Sequence, residues 1–66
     1  MPKQNLMIQA RKSKGMTQGE VASKAELSTS AYNHIENGNR LPSVKCAKRI
    51  GSVLDVDWTK FFDDIE

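Results

Sequence analysis

His34 and Cys46 are the sole imidazole and the sole thiol of this 66-residue chain, and they bound its chemistry first. A structural zinc needs several nitrogen or sulfur ligands at close spacing and a disulfide needs a second cysteine, so both are excluded. His34 also lacks an adjacent nucleophile, and no nucleophile–base pair can be assembled elsewhere. The chain is therefore expected to be no enzyme and to need no metal, cofactor or small-molecule substrate. Charge is the next resource. Residues 1–54 hold nine Lys/Arg against three acids (Glu20, Glu26, Glu36), whereas residues 55–66 hold only Lys60 against Asp55, Asp57, Asp63, Asp64 and Glu66. A body of net +6 followed by a tail of net −4 suits a polyanion bound by the body. Trp58, Phe61 and Phe62 could stack on nucleic-acid bases, but Asp63 and Asp64 beside them would repel such a ligand. Packing or self-association is the favoured use of these rings.

These residues must be positioned by very little protein. With 38% of its residues hydrophobic, a chain this short builds one core, so residues 1–66 are read as one domain with no fused ligand-binding or enzymatic unit. A lone cysteine fits a reducing compartment, and no apolar run approaches the roughly 18 residues of a membrane span or the layout of a signal peptide. A cytoplasmic protein with no membrane partner is expected.

No alternation of β-branched residues reads as a strand, and punctuation divides the chain into short amphipathic helices. The first runs from about Lys3 to Lys14, turns Met7 and Ala10 inward with Leu6 and Ile8 beside them, and stops at Gly15. Thr17-Gln18-Gly19-Glu20 is a capping box opening the second, whose apolar stripe is Val21, Ala22 and Ala25. Only Glu26 and Leu27 separate it from Ser28, the cap of a third helix ending at Asn37-Gly38. Leu27, Tyr32 and Ile35 are expected to fill the angle between the two. Ser43 caps a fourth helix through about Leu54, with Val44, Ala47, Ile50, Gly51 and Leu54 at helical spacing. From an Asp57 cap, Trp58, Phe61, Phe62 and Ile65 at i, i+3, i+4 and i+7 predict a fifth.

Two capped helices joined by so short a turn, the second rich in small polar residues, form the geometry that offers a helix to the DNA major groove. The residues themselves resemble the Cro/repressor-type (Xre) helix-turn-helix family from Arg11 to Phe62. The resemblance lies in Arg11, Lys14-Gly15-Met16-Thr17-Gln18, Glu20-Val21-Ala22, Leu27-Ser28, Ile35-Glu36-Asn37-Gly38, Arg40-Leu41-Pro42-Ser43 and Val56-Asp57-Trp58. It implies an all-α, five-helix, lambda-repressor-like domain. It also implies a phosphate contact at Gln18, and base and phosphate contacts at Thr29, Ser30, Asn33 and His34. Thr29 and Ser30 can bond most base edges, Asn33 can address adenine and His34 can donate to guanine. The resemblance further gives Asn37, Asn39, Arg40 and Ser43 a backbone clamp, and pairs Arg11 with Glu36 as an ion pair between helices.

Four positions depart from the family pattern. Glu26 and Asp55 stand where glycine usually takes a left-handed turn, at a cost on the order of 1 kcal/mol each if they adopt it. Gly51 inside the fourth helix costs about as much relative to alanine and suggests a close approach. Gly19 removes an acid from the neighbourhood of the Gln18 phosphate site.

The expectation is a sequence-specific regulator of transcription, in the simplest case a repressor occluding a promoter, that binds palindromic double-stranded DNA as a homodimer. One small module reads too few bases to find its site alone. Val56, Trp58, Phe62 and Ile65 are the candidate dimer contacts, because the last segment carries more aromatic area than a cap needs. The alternative is a protein-interaction module, such as an antitoxin-like or anti-repressor subunit, which a large exposed apolar patch would favour.

Overall fold

Side-chain oxygens start three of the helices. Thr17 Oγ1 accepts from the Glu20 amide at 3.1 Å while Glu20 Oε1 accepts from the Thr17 amide at 3.0 Å, closing the capping box. Ser28 and Ser43 each accept from the amide three residues on, at 3.1 Å. The computed structural model describes residues 3–62, which form α1 (Asn5–Ser13), α2 (Gln18–Lys24), α3 (Thr29–Glu36), α4 (Val44–Leu54) and a closing 3-10 helix, Trp58–Phe62. Among the described residues there is no strand.

The core gathers Met7 of α1, Val21 and Ala22 of α2, Tyr32 and Ile35 of α3, Ala47, Ile50 and Leu54 of α4, and Phe61. Alanines at 22 and 25 let α2 lie close to its neighbours, and Tyr32 is fully buried. The helix-turn-helix angle is set at Glu26, which takes φ +61° where the chain reverses between α2 and α3. Asp55 does the same after α4 at φ +59°. Both left-handed turns therefore form without glycine.

Three expectations need correction. The fifth helix is a five-residue 3-10 helix: Asp57 Oδ1 accepts from the Thr59 amide and hydroxyl at 3.0 and 2.7 Å, and the Lys60 amide bonds the Asp57 carbonyl three residues back. Its three-residue period stacks Trp58 and Phe61 on one side. Gly51 gives the second reason, since the turn at Val56–Trp58 is pressed against α4 there. Val44, assigned to the inner stripe of α4, sits in the first turn at the edge of the fold and is 53% exposed. Helix α1 begins at Asn5, two residues past the approximate start at Lys3, and the Gln4 amide just before it donates to the Glu36 carbonyl at 3.0 Å, tying the entry of α1 to the end of α3.

Candidate nucleic-acid interface

Glu36, the acid at the end of α3, is buried, 2% exposed. It is held there by Arg11 of α1, whose Nε donates to Glu36 Oε2 at 2.9 Å and whose Nη2 donates to Oε1 at 3.0 Å, a two-pronged contact. The remaining guanidinium arm, Nη1, donates to the Met16 carbonyl at 3.0 Å. Burial alone would push the Glu36 carboxyl up, but hydrogen bonds from Arg11 and Gln18 outweigh it and hold the group below its ordinary range. Arg11 is raised in turn, chiefly by its bond to Glu36. The Tyr32 hydroxyl is buried next to the pair with no hydrogen bond of good geometry, and burial, then its proximity to the Glu36 carboxylate, moves its phenol well above its ordinary value. Tyr32 is thus a core residue, as its expected place in the angle between the two helices requires.

Around this pair lies a row of amides. Gln18, the first residue of α2, donates through Nε2 to Glu36 Oε1 at 3.0 Å. Its Oε1 accepts from Asn33 Nδ2 at 3.0 Å, and Asn33 Oδ1 accepts from Asn37 Nδ2 at 3.1 Å. All three amides are half-buried. On the outer side of α3, Thr29, Ser30 and His34 are exposed. Asn39 and Arg40 are exposed in the loop that follows, where Gly38 at φ +80° lets the chain leave the helix.

The sequence pattern of the helix-turn-helix family (HTH_3) matches residues 7–61. The chain belongs to the Cro/repressor-type helix-turn-helix family. It is 51% identical over 55 residues to an uncharacterized HTH-type transcriptional regulator, YqaF, of Bacillus subtilis (strain 168), a match covering 83% of this chain and 72% of that protein. The N-terminal DNA-binding domain of SinR from Bacillus subtilis superposes with a TM-score of 0.81 at 30% identity, covering 94% of this chain and 91% of that domain.

Within this helix-turn-helix domain the candidate residues fall into separate groups. Gln18, Asn33 and Asn37 meet one another and the Arg11–Glu36 pair. Thr29, Ser30, His34, Asn39 and Arg40 stand apart from that network, and among the described residues no carboxylate lies within ion-pair distance of Arg40. Ser43 Oγ accepts from the Cys46 amide as the α4 cap, and its hydroxyl proton remains to donate. Val56, Trp58 and Phe62 are half-buried against the core, with Trp58 and Phe62 meeting edge-to-face at 6.3 Å and Lys48 Nζ lying 5.4 Å from the Trp58 ring centre. Ile65 lies outside the described residues. Gln4 and the continuous amide row escape sequence reasoning. Nothing in the spacing of residues 18, 33 and 37 announces that they touch.

Proposed function

We propose that this chain is a cytoplasmic transcriptional regulator that binds double-stranded DNA as a homodimer, laying α3 in the major groove. The observation that carries the reading is the division of α3. Tyr32, Ile35 and Glu36 are buried, while Thr29, Ser30 and His34 face water with Arg40 just beyond. A helix so divided offers hydroxyls and an imidazole to base edges, and a guanidinium and the Ser43 hydroxyl to phosphates. The structural likeness to a DNA-binding domain and the sequence likeness to a regulator support the same reading. Repression by promoter occlusion is its simplest consequence, since DNA held by the protein excludes other proteins.

Selecting bound duplexes from a random pool tests it. The expected result is an enriched palindrome with half-sites about 34 Å apart, one helical turn. Failure to enrich any sequence would overturn the reading. The second reading, a protein-interaction module, is favoured by Leu41 and Val44, which are 51% and 53% exposed. Leu41 borders a groove formed with Leu27, Ala31, Ile35, Pro42 and Cys46. That reading expects no enrichment from the pool.

A further inference from the structure

Gln18, Asn33 and Asn37 sit at the start of α2, in the middle of α3 and at its C-cap, yet their side chains form one directed chain of hydrogen bonds. Each donates its NH2 toward the next, and the series ends on Glu36 Oε1. A row of amides by itself has no preferred sense, because each amide can turn its oxygen or its nitrogen either way. The carboxylate removes that freedom. Ionised, it only accepts, so Gln18 must turn its NH2 toward it, which turns Gln18 Oε1 to Asn33 and then Asn33 Oδ1 to Asn37. Arg11 fixes the carboxylate from the other side with two N–H bonds. Every amide then uses one N–H within the row and keeps one outside it, while the oxygens of Gln18 and Asn33 are already engaged.

We propose that Glu36 is a positioning residue for nucleic-acid recognition, fixing Gln18, Asn33 and Asn37 as one preset unit that offers N–H donors to acceptor oxygens and nitrogens of DNA. The inference rests on the DNA-binding reading above and deepens it. It makes the three amides act together, so that Gln18 and Asn33 are not independent contacts even though they lie on different helices. The acceptors are phosphate oxygens or base edges, and the two sources give different signatures on specific and random DNA.

The test combines side-chain amide NMR with binding. In the 15N-labelled chain, the NH2 signals of Gln18, Asn33 and Asn37 should move together as Glu36 is titrated with acid, while the exposed Gln9 stays still. The other ionisable groups facing Glu36 are Arg11 and Tyr32, both shifted upward and unable to titrate in acid. Asn33→Ala, which leaves the Arg11–Glu36 pair untouched, should leave Gln18 following Glu36 and disconnect Asn37. On a duplex recovered by selection, Gln18→Ala and Asn33→Ala should each weaken binding roughly tenfold, and the double variant only about as much as either single one. Equal losses on random DNA assign the donors to phosphates, and losses confined to the selected duplex assign them to bases. Amides that ignore Glu36, or losses that multiply to about a hundredfold, overturn the proposal while leaving DNA binding intact. A parent chain that binds no duplex overturns both together, whatever the amides do.

Discussion

The Arg11–Glu36 pair has its two side chains 14% and 3% exposed, so neither charge can fall back on water when the other is removed. Burying ions is costly, and a pair of this kind is defended mainly by the greater cost of breaking it. Arg11→Met or Glu36→Gln alone should lose about 3 kcal/mol or more, and the double variant less than the sum. A double-mutant cycle by urea unfolding checks this, and additive losses would sink it. The pH dependence follows from the same contact. Because the folded carboxyl titrates below its unfolded value, its contribution is complete above about pH 4.3, the ordinary glutamate value. It is lost as pH falls through the lowered value. The parent should therefore lose stability in acid more steeply than Glu36→Gln, measured by denaturation at pH 7, 4 and 3. Both members of the pair were legible as a resemblance at positions 11 and 36. The amides that complete the site were not, because side-chain contacts between helices leave no periodic trace.

Gly51 shows at the level of elements why a helix can prefer its worst residue. A Cβ there would lie 2.8 Å from the Val56 carbonyl oxygen and 2.9 Å from Trp58 Cβ, and neither backbone nor Cβ can swing aside. Alanine would recover about 1 kcal/mol of helix propensity, yet overpacking of this kind costs about 1–3 kcal/mol. Gly51→Ala should accordingly destabilise the fold and loosen the 3-10 helix, seen as a lower urea midpoint and altered Trp58 fluorescence. A neutral result would mean that the turn yields freely. The left-handed turns give the opposite expectation. Glu26 takes φ +61° with no special tolerance for it, and its contact with Arg49 at 3.2 Å is exposed and worth little. Glu26→Gly should then stabilise by up to about 1 kcal/mol in thermal melts. Asp55→Gly should gain less, since aspartate visits this region more readily. Glu26 and Asp55 were readable as departures from glycine, as were the Thr17, Ser28 and Ser43 caps. The last element was misread because an i, i+3 pair of rings fits a 3-10 helix as well as an α-helix. What decides between them is the crowding at Gly51, a tertiary fact.

For the whole molecule the open matters are how copies of the chain meet each other and how they meet DNA. Val56, Trp58 and Phe62 are only half-buried within one copy, so a second copy packing on them would complete their burial. On that proposal Phe62→Lys should shift sedimentation toward monomer with little change in Tm. A sharp fall in Tm would instead make Phe62 a core residue and move the interface elsewhere, with the exposed Leu41 and Val44 next to be tested. Contact with DNA separates by charge. The Arg40 guanidinium is exposed in the loop after α3 without an acid to neutralise it among the described residues, whereas Ser30 and His34 offer a hydroxyl and an imidazole on the exposed side of the helix. A phosphate contact releases counterions regardless of sequence, so Arg40→Ala should weaken binding to every duplex and reduce the salt slope by roughly one unit per monomer. Ser30→Ala and His34→Ala should leave that slope nearly unchanged and cost about 1–3 kcal/mol on the selected duplex and far less on random DNA. Affinity measured against salt for each variant on both duplexes separates the two classes. If the Ser30 and His34 variants lose equally on both duplexes, α3 grips the backbone without reading bases, and the sequence preference must come from elsewhere on the surface.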